Sequence, residues 1–219
     1  MPTGAPTRLA GTVSYGYAHG NAGIATFLFA AAAATGEAEF AAVATEALLT
    51  VLPQALSIDG AAYWPASPES ASDSSEAGYW PSWCNGSSGM GTAFLRAHVA
   101  TGEPAFRVAA EAAAKAGLRE RWRSSAGQCH GLAGDAELLI DLADRKAALD
   151  AAEAILLQRR TATTVPERAV FADDSGATVS AGFGTGVAGT GAFLLRLVAG
   201  GPRPLMLDQL LATPQSEPR

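Results

Sequence analysis

Charge is scarce in this sequence, and cysteine is scarcer. Of 219 residues only 16% are charged, with 15 Lys+Arg against 21 Asp+Glu and a formal net charge of −6. No basic cluster accompanies that acidic balance, which argues against nucleic acid as the main partner. Two cysteines, Cys84 and Cys129, are too few for a disulfide scaffold, and a cytoplasmic chain would keep them reduced. The longest apolar stretch, Ile24 to Ala34, is about half a membrane span and reads as a buried helix. No membrane span is therefore expected. The N-terminus lacks a charged start followed by an apolar run, so no signal peptide is visible and a cytoplasmic location is expected. Hydrophobic residues, at 48%, exclude a disordered chain, and a chain of this length can bury one large core.

What the sequence does have is a repeat. Four segments share one pattern: Tyr17-Ala-His-Gly-Asn-Ala-Gly23, Trp83-Cys-Asn-Gly-Ser-Ser-Gly89, Gln128-Cys-His-Gly-Leu-Ala-Gly134 and Phe183-Gly-Thr-Gly-Val-Ala-Gly189. Their G-x-x-G motifs start at Gly20, Gly86, Gly131 and Gly186. Each runs into an apolar segment of about three turns, read as a buried inner helix. Amphipathic stretches follow at Phe40 to Leu52, Ala105 to Leu118 and Lys146 to Arg159, read as outer helices. Stacked inner/outer pairs predict an all-α fold, an α/α toroid or partial toroid of about four helix pairs. The inner helices then run parallel, with all four G-x-x-G turns on one rim. The glycines are expected to permit tight-turn backbone angles and close helix approach. Asp59 to Ser82, rich in serine and aromatics, reads as a surface loop across the rim, and Thr161 to Ser180 as a second irregular connection.

Chemistry falls in register with this repeat. Two residues before the first glycine stand Ala18, Cys84, Cys129 and Gly184; one residue before stand His19, Asn85, His130 and Thr185. Both cysteines share a column, and two of the three histidines share the next. Stacked repeats would bring Cys84 and Cys129 to one height on adjacent inner helices, beside His130. A Cys-Cys-His set gives three ligands and leaves an open coordination position, the pattern of a catalytic zinc. Two thiolates and an imidazole suit zinc better than magnesium or calcium. Converging helix N-termini would favour the thiolate form. The alternatives are two buried cysteines used as small hydrophobes, or a Cys84–Cys129 disulfide when metal is lost. His19 lies on the same rim, either as a catalytic group or as a hydrogen-bonded core residue. His98 falls outside the columns and reads as structural or exposed. Asp59, Glu69, Asp73 and Glu76 read as solvated loop groups. Asp135 is either a first-turn helix charge or an outer partner of a metal-bound histidine.

The motifs Ala-His-Gly-x-Ala-Gly, Trp-Cys-x-Gly, Cys-His-Gly-x-Ala-Gly and a final Thr-Gly-x-Ala-Gly before Phe-Leu-Leu-Arg resemble the LanC-like lanthionine cyclases. The resemblance spans about Tyr15 to Leu211, with 1–14 as an N-terminal segment, 15–211 as the cyclase domain and 212–219 as a flexible tail. It implies an α/α toroid with a Zn2+ ion held by Cys84, Cys129 and His130, and His19 as the catalytic histidine. The implied activity is addition of a peptide cysteine thiol to dehydroalanine or dehydrobutyrine, forming a thioether ring. The implied partner is a dehydrated precursor peptide, with kinase or lyase proteins or self-association completing the assembly. The loop from Tyr63 to Trp83 is expected to line the peptide entrance. Three departures stand out. Family members usually have seven helix pairs, and the four here resemble the last four. The family's catalytic aspartate belongs to an earlier repeat. Asn85 and Trp80 stand where an aromatic or histidine and a basic residue are common. These departures keep open a second reading, a non-catalytic LanC-like module that binds a precursor peptide or a partner synthetase. A toroid glycosidase would need two facing carboxylates, and no such pair falls in the columns.

Overall fold

The computed structural model describes residues 11–71, 79–161, 169–173 and 176–206. The chain folds as helices α1 (Asn21–Thr35), α2 (Ala38–Val51), α3 (Pro68–Ala71), α4 (Ser87–Thr101), α5 (Pro104–Arg119), α6 (Leu132–Asp141), α7 (Arg145–Leu157) and α8 (Val187–Ala199). Two short antiparallel hairpins interrupt them, β1 (Leu56–Ile58) with β2 (Ala61–Tyr63), and β3 (Arg160–Thr161) with β4 (Ala169–Val170). This is the expected all-α fold. Among the described residues it comprises three inner/outer pairs, α1/α2, α4/α5 and α6/α7, and a fourth inner helix, α8. The inner helices pack in the order α1, α4, α6, α8. The expected tail at 212–219 lies outside the described residues.

Local chemistry accounts for the helix ends. α1 and α4 stop at Gly36 (φ 78°) and Gly102 (φ 75°), whose left-handed backbone lets each N–H reach back to Ala32 and His98 carbonyls at 2.8 Å. α5 opens on Pro104, and the Glu103 carboxylate accepts from the Ala105 N–H. Asp144 caps α7 in the same way, accepting from Ala147 N–H at 3.0 Å.

The G-x-x-G motif has a single structural reason, repeated four times. The first glycines have φ between −122° and −146° and extended ψ, a conformation open to any residue. Freedom of backbone angle is therefore not what selects glycine here, contrary to expectation. Close approach is. A Cβ on Gly20, Gly86, Gly131 or Gly186 would strike the carbonyl of Ser14, Trp80, Ser125 or Ser180, in each case six residues earlier. A Cβ on Gly23, Gly89, Gly134 or Gly189 would strike Tyr17, Trp83, Gln128 or Phe183 likewise. The incoming chain folds tightly under each helix start. There it satisfies a first-turn donor: Asn21, Ser87, Leu132 and Val187 N–H groups donate to those same four carbonyls, Ser14, Trp80, Ser125 and Ser180.

Inner helices differ in enclosure. Every residue of α4 from Ser87 to Ala97 is buried, as is every residue of α6 from Leu132 to Leu139. α1 and α8 bury one face only and expose Phe27 (61%) and Val198 (82%) on the other. The expectation that all four are buried all round holds only for the central two, because the outer two have a neighbouring inner helix on one side. Alanine-rich α5 and α7 pack closely outside the central pair, burying Ala109, Ala110, Ala113, Ala148 and Ala151.

The segment after Asp59 departs from expectation. Tyr63 and Trp64 are buried rather than lining a surface loop. The Trp64 ring packs at a tilt of 52° against Phe94, with centroids 5.1 Å apart, and its indole N–H donates to the Val51 carbonyl at 3.1 Å. Burying an indole with its donor satisfied stabilises by about 1.5–3 kcal/mol, against an ordering cost of about 1–2 kcal/mol for each residue of this connection. Tyr79 and Trp80 remain nearer the surface, and Asp73 and Glu76 lie outside the described residues. Asp59 is exposed and pairs with Arg119 at 2.9 Å. Of the second connection, 162–168 and 174–175 lie outside the described residues; its ends form the β3–β4 hairpin.

Candidate metal centre

The four rim turns touch one another through the backbone of a single repeat column. Ala18 N–H donates to the Cys84 carbonyl at 2.8 Å, Cys84 N–H to the Cys129 carbonyl at 3.3 Å, and Cys129 N–H to the Gly184 carbonyl at 2.7 Å. One hydrogen-bonded line thus crosses the whole arc at the height of the cysteines. It fixes residues far apart in sequence side by side, before any side chain is considered.

On this line Cys84, Cys129 and His130 converge. Their ligand atoms all lie within 4.8 Å of one another. Cys129 Sγ stands 3.9 Å from His130 Nε2. Both cysteines are free thiols, so the disulfide alternative is not realised. Two donors on one tetrahedral zinc ion, at about 2.3 Å for sulfur and 2.0 Å for nitrogen, stand about 3.5 Å apart. Cys129 and His130, at 3.9 Å, need to close by a few tenths of an ångström, and no pair in the cluster needs to close by more than about 1 Å. The donor set therefore fits a thiolate- and imidazole-binding metal ion. Cys84 is buried, Cys129 half-buried and His130 exposed, so the cluster opens toward solvent on the histidine side.

Two supporting residues escaped sequence reasoning. Ser82 Oγ lies 3.6 Å from Cys84 Sγ and can donate to a thiolate there. A signal existed: the position four before each first glycine reads Gly16, Ser82, Gly127 and Gly182, and the serine is the exception. Gln128, directly before Cys129, is the second. Its backbone N–H donates to the Gly184 carbonyl at 2.8 Å, and its side-chain amide donates to the Gly189 carbonyl at 3.0 Å and to Glu137 Oε1 at 3.4 Å. Glu137 pairs in turn with Arg196. Arg196 also pairs with Asp141 at 2.6 Å, and Asp141 meets Arg96 at 2.9 Å and Arg203 at 3.5 Å. The cysteine turn thus rests on an ion network drawn from α4, α6, α8 and the segment after α8. Burial alone would raise the Asp141 carboxyl, but the Arg96, Arg203 and Arg196 charges outweigh it and hold the group below its ordinary value.

His19 lies on the same rim, exposed, next to the Ala18 amide that joins Cys84. It stands outside the three-residue cluster. His98 is half-buried, with Nδ1 3.0 Å from the Glu103 carbonyl, in keeping with a structural role. Asp135 does stand in the first turn of α6, but it is buried and does not hydrogen-bond His130. Its carboxyl is buried beside Ser88 and Gly117 and has no hydrogen-bond partner among the described residues. Burial pushes it up to about 8, against the smaller opposing pull of Ser88 and of the Arg203 charge.

Among the described residues no helix is long and apolar enough to cross a membrane. A comparison with curated proteins finds no match. The profile of the family described as lanthionine synthetase C-like protein matches residues 5–210. That match spans nearly the whole repeat array, and the chain therefore belongs to the lanthionine synthetase C-like family.

Proposed function

We propose that this protein is a zinc-dependent lanthipeptide cyclase. The convergence of two thiols and an imidazole within 4.8 Å, on a chain of this family, carries the reading. Cys84, Cys129 and His130 would hold the ion, and zinc, when bound, supplies a Lewis-acidic position that favours the thiolate of an incoming cysteine. A free thiol, with a pKa of about 8.5, is otherwise mostly protonated at neutral pH. The reaction joins that sulfur to the β-carbon of a dehydroalanine or dehydrobutyrine of the same peptide. The carbon–carbon double bond is lost, and the thiol's proton ends on the α-carbon, so mass is unchanged. His19 is the rim group suited to accept the proton from sulfur or deliver it to carbon. Its solvent exposure leaves it free to exchange that proton with water. Ser82 would steady the Cys84 thiolate, and Gln128 would hold the Cys129 turn in place.

The test pairs metal analysis with a dehydrated precursor peptide. The purified chain is expected to carry about one zinc, and peptide thiols are expected to disappear on incubation with no change in peptide mass. Cys84→Ala and Cys129→Ala should lose both zinc and ring closure. His19→Ala should keep zinc and slow ring closure by about 10²–10⁴-fold. Zinc retained with every thiol left unreacted would replace this reading by the non-catalytic, peptide-binding one.

A further inference from the structure

A second column lies immediately before the ligand column, and it is aromatic in three of four turns: Tyr17, Trp83, Gln128 and Phe183. Trp83, Gln128 and Phe183 wall a cavity of about 290 Å³. Cys129 and Gly184 form its side toward the metal centre, and the segment from Arg203 to Met206 closes it. The cavity therefore shares a wall with a proposed zinc ligand.

The lining is apolar in function as well as composition. The amide of Gln128 is already bound to Glu137 and Gly189. The guanidinium of Arg203 donates to Thr92 Oγ1 at 3.0 Å and to the Gly134 carbonyl at 3.4 Å, beside Asp141. Neither group leaves an uncommitted charge for a ligand. What remains is the ring of Trp83, the ring of Phe183 and the side chains of Pro204 and Met206. The closing segment is tied at both ends, at Arg203 and through the Tyr17 hydroxyl, which donates to Met206 Sδ at 3.5 Å. The indole N–H of Trp83 is buried without a hydrogen-bond partner among the described residues.

Gly184 keeps this space open. It occupies the column position held by cysteine in the second and third turns. A Cβ there would meet only Cys129 Cβ, at 3.8 Å, and Gly184 is absent from the positive-φ residues. A larger residue would fit the backbone and fill the cavity. At about 290 Å³ the cavity stands at the lower edge of the range for small-ligand pockets, about 300 to 1,000 Å³, and has room for one bulky side chain.

We infer that this cavity is a subsite for one bulky apolar side chain, leucine- to phenylalanine-sized, of the peptide whose thiol meets Cys84, Cys129 and His130, and that Gly184 sets its size. The inference rests on the cyclase reading for the identity of the peptide. Its test uses the zinc-loaded full chain and blocked tripeptides, titrated calorimetrically: Gly-Cys-Gly, Leu-Cys-Gly, Gly-Cys-Leu and their serine twins. One leucine peptide is expected to bind about tenfold tighter than Gly-Cys-Gly. Gly184→Leu should erase that gain, so that the leucine and glycine peptides bind the variant alike. Phe183→Ala, which widens the cavity, should reduce the gain about threefold. Equal affinities for leucine and glycine peptides, or a gain that survives Gly184→Leu, would overturn the subsite. If the cysteine peptides lose their advantage over the serine twins while the leucine gain persists, the cyclase reading falls and the subsite stands. If the cysteine advantage persists without a leucine gain, the subsite alone falls.

Discussion

The central inner helices, α4 and α6, and the outermost ones, α1 and α8, are built to the same repeat but live in different surroundings. α4 and α6 are enclosed along most of their length, and the turns that start them carry both cysteines and His130. α1 and α8 expose apolar residues on one face, and their turns carry His19, Gly184 and Thr185. The lesson concerns rigidity. A metal site needs its donors fixed to a few tenths of an ångström, and fixed positions exist where neighbours press from both sides. The proton transfer proposed for His19 tolerates an edge, where solvent reaches it.

Four measurements would break or sharpen this contrast. The largest effect is expected in the ion network that joins the central pair to α8. Asp141→Ala leaves Arg96, Arg196 and Arg203 without their shared carboxylate and should cost about 3–5 kcal/mol in urea unfolding. A cost below about 1 kcal/mol would mean that the network is not what locks the arc. Next comes the lone buried carboxyl of α6. Asp135 is neutral in the folded chain up to about pH 8, whereas in the unfolded chain it ionises from about 3.8. The folded state thus holds one more proton than the unfolded state between those values. This group's contribution to stability falls as pH rises through that window, by up to about 1.4 kcal/mol per unit. Asp135→Asn should flatten the slope between pH 5 and pH 8; an unaltered slope would show the carboxyl to be solvated. Asp141, on the same helix, acts in the opposite sense, and its contribution disappears only on acidification through its lowered pKa.

The last two measurements use one repeat position in two surroundings. Gly91 and Gly191 both follow the first glycine of their turn by five residues. A Cβ on Gly91 would press on Leu138 and lie 2.7 Å from Ala113 Cβ, whereas a Cβ on Gly191 meets nothing within 4 Å. Gly91→Ala should destabilise by about 1–3 kcal/mol. Gly191→Ala should stabilise by about 0.5–1 kcal/mol, through helix propensity and a less free unfolded chain. Thermal unfolding of the two variants side by side decides it. Equal signs would mean that the central and outer helices are packed alike.

The repeat was legible because its cause is local. Eight glycines answer to eight carbonyls six residues upstream, so the motif recurs wherever the turn recurs. The gathering of Cys84, Cys129 and His130 was legible because the repeat aligned them. Trp64 was misread for the opposite reason. It sits in a stretch crowded with serine and proline, and what it packs against is the distant Phe94 ring. The place of Asp135 in a first helical turn was legible, but its burial depends on Ser88 of α4 and Gly117 of α5 and leaves no local trace. The fold of Arg203 back between α4 and α6 depends on Thr92 and Asp141, more than 60 positions upstream, and leaves no periodic trace.

The amide line from Ala18 to Gly184 has a mechanical consequence. Each of its three links spends a backbone donor on the next turn, so the four turns form an open strap in which neighbours shift together. Drawing Cys84, Cys129 and His130 together around an ion would pull along that strap. Loading at the centre would then be felt at both extremities, at the loop bearing His19 and at the glycine gap of the fourth turn.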